Sequence, residues 1–205
     1  QNGLYHFALL LPSRSHLARA LHHLLMTRTP LHGLSDHIVS EAIYLSDPEG
    51  NGIELYADRP QSQWYSNGKI QMASLPVDVS DLMGAIDTKQ SIPYHLPPET
   101  VMGHVHLHVR DLLEAIHFYC DCLGMQLMFQ IPTAAFLAFD GYHHHIGVNT
   151  WAGEVPHGDN YAGLHQLVVF FPEEHRESLS FESSTNRNAL LCDPASNRIQ
   201  VELFL

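Results

Sequence analysis

Apolar residues gather in short runs whose spacing changes from alternate or continuous to helical and back. GLYHFALLLP (3–12) is almost continuously apolar, rich in strand formers and closed by Pro12, which predicts a buried strand. From Ser15 to Met26, Leu17, Ala18, Leu21, Leu24 and Leu25 recur at helical spacing while Arg14, Arg19 and Arg28 fall on other faces. A helix capped by Ser13 or Ser15 is expected there. In HIVSEAIYLSDPEGNGIELYADRP (37–60), the strand-like runs VSEAIYL and GIELYA flank the turn-forming D-P-E-G-N-G, predicting a hairpin.

The stretch 59–101 holds five prolines and little periodicity, and is expected to be a long connection with short ordered pieces. A second round follows. GHVHLHV predicts a strand, the segment from Asp111 through Leu123 a helix, and MQLMFQIP, AAFLAF and HHHIGVNTW further strands. A third round opens with GLHQLVVFFP, which parallels GLYHFALLLP, and closes with LLCDPASNRIQVELF, which parallels IYLSDPEGNGIELY. This is an internal repeat. His6 to Glu54 spans 48 positions and His165 to Gln200 spans 35, a difference of 13. The shortfall lies between Pro172 and Asn188, where a helix is expected.

With 205 residues, 45% of them hydrophobic, the chain can bury one substantial core or two small ones. A formal charge of -12 lacks the basic footprint of a nucleic-acid or anionic-membrane binder, so neither partner is expected. No apolar run has the roughly 20 residues of a membrane span, and QNGLYHFALLLPSRS lacks a signal-peptide layout. The chain reads as soluble and cytoplasmic. Cys120, Cys122 and Cys192 form an odd set without metal-ribbon spacing and are expected to be reduced core thiols. Histidine is abundant, at 17 residues, and abundance alone assigns no site.

G-H-V-H-L-H-V-R-D-L followed by F-Y-C-D-C-L-G, together with D-H-I-V-S-E-A-I-Y-L-S-D-P-E-G-N-G-I-E-L-Y, resembles the vicinal oxygen chelate superfamily of glyoxalases, bleomycin-resistance proteins and extradiol dioxygenases. G-L-Y-H-F-A-L-L-L-P and G-Y-H-H-H-I-G-V-N-T-W are similar to its two-domain catechol 2,3-dioxygenase group. The resemblance implies an α+β fold of βαβββ modules paired into open barrels around a divalent metal. It divides the chain into a module at 1–60, the second of an expected four with the first absent, a connection at 61–101, a third module at 102–156 and a shortened fourth at 157–205.

Extradiol ring opening needs two histidines and one carboxylate on one face of a metal, leaving positions for both catechol oxygens and O2. The resemblance carries the ligand roles to His6, Glu54 and His104, provided that the first module pairs with the second round. In the third round the opening strand offers His165, but the register of Glu54 is occupied by Gln200, with Glu202 two residues on. By alternation His106 and His108 share the face of His104 and are read as interior histidines with hydrogen-bond partners. The resemblance assigns acid–base work to His144, with His143 and His145 on the opposite face, and substrate-oxygen contacts to His37 and Tyr44.

The implied activity is a metal-dependent extradiol dioxygenase acting on a small aromatic diol with O2. Fe(II) is the expected metal, with Mn(II), Zn(II) and Ni(II) open, and a homo-oligomer is also left open. Two alternatives share the fold: a glyoxalase-like isomerase or thiol transferase, whose sites usually add a second carboxylate, and a metal-free small-molecule-binding protein of the bleomycin-resistance type.

Overall fold

The computed structural model describes residues 2–86, 95–153, 164–172, 179 and 188–204. The chain divides into two compact units, one of residues 6–104 and one of residues 1–5 with 105–205.

In the first of these, β1 (Gly3–Leu10) leads into α1 (Arg14–Met26), followed by β2 (Gly33–Asp36), β3 (Ser40–Ser46) and β4 (Gly52–Asp58). The strand order is β2-β3-β4-β1, with β1 parallel to β4 and the other pairs antiparallel. Ser13 is the helix cap, its extended backbone and side chain receiving the His16 N–H. β2 has no counterpart among the predicted strands, because four residues of G-L-S-D carry no readable alternation.

Alternation along β4 sorts its side chains between two environments. Leu55 and Ala57 join Leu17, Ala18, Ala20, Leu21 and Leu24 of α1 and Ile43 of β3 in one core. Glu54 and Tyr56 turn to the other face, where Tyr56 packs with Ala8 and Ala42. The hairpin loop is fixed by Asp47, whose carboxylate accepts the N–H groups of Glu49 and Asn51 and the Asn51 side-chain amide.

The proline-containing connection carries ordered pieces that pack. A single 3-10 turn (Gln61–Gln63) precedes the two-residue strands β5 (Tyr65–Ser66) and β6 (Lys69–Ile70). A short helix, α2 (Val79–Gly84), is capped by Asp78 and buries Leu82 against the α1 core. Between them, Asp36 and Leu75 exchange both backbone hydrogen bonds, each 2.9 Å, so residues 73–75 are strapped to the end of β2.

In the other unit β7 (Val101–His108), which begins among residues of the first, is followed by α3 (Leu112–His117) and a π-helical turn (Phe118–Cys122). β8 (Gln126–Ile131), β9 (Ala134–Ala138) and β10 (Ile146–Asn149) complete the round. The order is β7-β10-β9-β8, with β10 parallel to β7 and antiparallel to β9. Asp111 caps α3, accepting from Leu113 and Glu114. The helix expected to run on to Leu123 widens instead into the π turn. The last run is shorter than expected as well: His143–His145 precede β10, so alternation does not govern where they point.

The third round consists of β11 (Leu167–Pro172), β12 (Asn188–Cys192) and β13 (Arg198–Phe204), in the order β11-β13-β12. Its loop repeats the first one closely, with Asp193 accepting from the N–H groups of Ala195 and Asn197 and from the Asn197 amide. The helix expected between Pro172 and Asn188 lies outside the described residues. All three cysteines are free, but none is a core thiol: Cys192 is exposed at the end of β12, and Cys120 and Cys122 are half-buried on the π turn. Among the described residues no helix is long and apolar enough to cross a membrane.

Candidate functional site

β1, β4 and β7 each deliver one buried polar side chain to one place. His6, Glu54 and His104 are all 5% exposed or less. The parallel register sets Ala8 beside Glu54 and Gly52 beside His6, so His6 lies one same-face step from the carboxylate. His6 Nε2 is 2.9 Å and His104 Nε2 3.2 Å from the same oxygen, Glu54 Oε2. One candidate ligand atom from each of the three falls within 4.8 Å of the others. Burial pushes the Glu54 carboxyl upward, but the His104 and His6 imidazoles outweigh it and hold the group well below the usual carboxylate range. Two imidazole nitrogens and one carboxylate oxygen, buried and convergent, are the donor set that suits a first-row divalent metal with open positions. The residues therefore fit the group that the sequence implies.

Tyr44 stands opposite Glu54 in the β3–β4 ladder, and its ring centroid is 5.6 Å from that of His6. Its hydroxyl lies 2.7 Å from His37 Nε2, while His37 Nδ1 lies 2.7 Å from the Ala73 carbonyl. A carbonyl can only accept, so in the neutral imidazole Nδ1 carries the hydrogen and Nε2 accepts from the Tyr44 hydroxyl. The strap at 73–75 thus fixes the tautomer of a predicted site residue. Sequence reasoning offered no signal for this, because the partner is a backbone carbonyl 36 residues away in a segment without periodicity.

His144 belongs to the other unit and is buried against His143, the two Nδ1 atoms 2.7 Å apart, with Phe136 at 5.0 Å between ring centroids. His106 is buried beside Phe136, Trp151 and Tyr5, and a Cβ on Gly147 would come within 2.9 Å of its ring. His108 has its Nδ1 2.6 Å from Asn149 Oδ1. The expected hydrogen-bond partner is seen for His108, which is half-buried rather than interior, while His106 is interior and packed against rings.

The third round corrects one residue correspondence. Val168 faces Gln200 as Ala8 faces Glu54, so two steps back the equivalent of His6 is Gln166, while His165 is exposed. Gln166 donates to Gln200, which in turn donates to Glu202. A chain of amides stands where the first round has an imidazole and a carboxylate.

Residues 101–176 match the model of the Glyoxalase/Bleomycin resistance protein/Dioxygenase superfamily. A catechol-2,3-dioxygenase from Bacillus subtilis (strain 168) is 44% identical over 193 residues, which is 91% of this chain and 66% of that protein, just under two thirds of its length. Among solved structures, a candidate dioxygenase from Bacillus subtilis subsp. subtilis str. 168 aligns with a TM-score of 0.57 at 9% identity, covering 99% of this chain and 64% of that one. Glyoxalase I from Zea mays aligns with a TM-score of 0.52 at 16% identity, covering 98% and 67%. At such identities the structural likenesses establish the fold.

Proposed function

Because the chain belongs to the glyoxalase/bleomycin resistance protein/dioxygenase superfamily, we propose that it is a metal-dependent extradiol dioxygenase that opens the ring of a catechol-type substrate with O2. The observation that carries this reading is the convergence of His6, Glu54 and His104 with a single carboxylate among them. The 44% identity to a protein named catechol-2,3-dioxygenase supports the same class. The one-carboxylate cluster favours it over an isomerase site with a second acidic ligand.

In this reading His6, His104 and Glu54 hold Fe(II), which when bound supplies adjacent open positions for the two substrate oxygens and O2. The protein's own groups do the remaining work. Glu54, ionised and buried, supplies the negative charge that a dication needs, and the two imidazoles supply neutral nitrogen donors. Tyr44 and His37 form a hydrogen-bonded pair whose hydroxyl binds a substrate oxygen and keeps it oriented. His144 is the proton carrier. With its Nδ1 engaged by His143, it takes the catechol proton and later returns it at Nε2, the general acid–base work an imidazole can do. The division of the chain into paired βαβββ modules at 1–60 and 102–156, with a shortened module at 157–205, belongs to the same proposal.

The test is anaerobic loading of the protein with Fe(II), quantification of bound metal, then addition of catechol in air. Stoichiometric iron and a yellow ring-opened product are expected. Bound metal without product would move the assignment to an isomerase or transferase of the same superfamily, and absence of bound metal would favour a small-molecule-binding protein.

A further inference from the structure

β4 places Tyr56 two residues beyond Glu54, on the same face of the strand, fully buried. Its neighbours on that face are small. Ala42 lies directly opposite it in the β3–β4 ladder, and Ala8 packs against it from β1. The ring therefore lies across the sheet rather than standing off it, and it ends at Gly103, the residue before His104. A Cβ built on Gly103 would fall 1.9 Å from the Tyr56 hydroxyl oxygen, 2.6 Å from Cζ and 2.7 Å from Cε1. Only glycine leaves room for the phenol. The same ring meets the His104 imidazole at 4.9 Å between centroids, inclined by 53°.

We infer that Tyr56 is a positioning residue for the His104 ligand, seated in a notch that Gly103 keeps open. The imidazole of His104 is fixed on one side by its 3.2 Å approach to Glu54 Oε2 and on another by the Tyr56 ring. The backbone that carries it is fixed by contact of the phenol with Gly103. Glu54 and Tyr56 share one strand, so a single element sets both the carboxylate and the angle at which the His104 ring presents its nitrogen to it. The residues that clear the space, Ala8, Ala42 and Gly103, come from three other strands, and enlarging any of them would displace the same ring. This rests on the reading of His6, Glu54 and His104 as a metal centre.

The experiment is titration of the full chain with Co(II), following its visible absorption bands and the Kd, in the parent protein and in Tyr56→Phe, Tyr56→Leu, Gly103→Ala and Leu21→Ala. Leu21 is buried in the α1 core on the opposite face of the sheet, so its truncation controls for general loss of stability, which thermal unfolding of each metal-free protein records. The expected result is a roughly tenfold or larger rise in Kd, with altered Co(II) bands, for Tyr56→Leu and Gly103→Ala. Tyr56→Phe, which keeps the ring, should stay within about threefold of the parent, and Leu21→Ala should bind like the parent despite a lower Tm. Parent-like affinity and spectra in both Tyr56→Leu and Gly103→Ala would overturn the inference while leaving the metal centre standing. So would a loss in Leu21→Ala equal to theirs. Failure of the parent itself to bind Co(II) would instead remove the metal centre on which the inference rests.

Discussion

Glu54 is a carboxylate removed from water and held charged by two imidazoles that share one of its oxygens. That arrangement makes His104 and His144 separable by experiment. His104→Ala should lower metal affinity by roughly a hundredfold or more, since a ligand is lost outright rather than reoriented. His144→Ala should keep the metal and lose roughly 10²–10⁴ in turnover. Metal quantification beside a rate assay distinguishes the two, and full metal content with activity in the His104 variant would exclude the proposed centre. Tyr119 gives a prediction away from the site. Burial, reinforced by the Asp193 carboxylate 3.0 Å away, pushes its phenol well above its ordinary value. A raised folded value means that the contribution to stability is complete below about pH 10, where the unfolded phenol titrates, and is lost as pH rises beyond it. Tyr119→Phe should cost about 1 kcal/mol at neutral pH and flatten that alkaline slope, measured by denaturant unfolding between pH 7 and 11.

The strands and helices follow local chemistry closely where that chemistry repeats. Ser13 and Asp111 start helices where the sequence places them, and the two D-P-x-x-N loops fold alike because an aspartate, followed four residues later by asparagine, accepts the same backbone and amide hydrogens. Elsewhere the connections between elements are made by charges that no periodicity announces. Glu41 of β3, 3% exposed, takes Arg14 of α1 at 3.0 Å and Arg59, just past β4, at 3.3 Å. Arg14 also reaches Asp81 of α2, and Arg59 reaches Asp36 of β2. Removing the shared acceptor leaves two guanidinium groups facing one another. Both are about one-third exposed, so water compensates part of the loss, and Glu41→Ala is expected to cost about 2 kcal/mol. A smaller loss than that of Asp81→Ala, whose carboxylate is mostly exposed, would refute a central role for Glu41.

Taken together, the 205 residues carry one round with a complete imidazole–carboxylate pair and another in which both positions are glutamine. Metal should therefore stabilise the chain as a ligand of one centre, by an amount that grows with the logarithm of free metal above Kd. At a free Co(II) concentration of about 100 times Kd the gain is about 2.7 kcal/mol, seen as a higher Tm that a chelator reverses. His104→Ala should abolish the metal-dependent part of Tm, and a Tm indifferent to Co(II) in the parent chain would exclude a folded-state metal site. Most strands, the helices opened by Ser13 and Asp111, the repeat and the one carboxylate in register were legible in the sequence, because each depends on periodicity or on a local motif, and the three candidate ligands came with the family resemblance that those motifs carry. The Tyr56–Gly103 notch, the Ala73 carbonyl that orients His37, and the His143–His144 pair ahead of a shortened strand were decided by the folded chain. Those features depend on which backbones come within a few ångströms of one another, and strand register and strap placement settle that only once distant segments have packed.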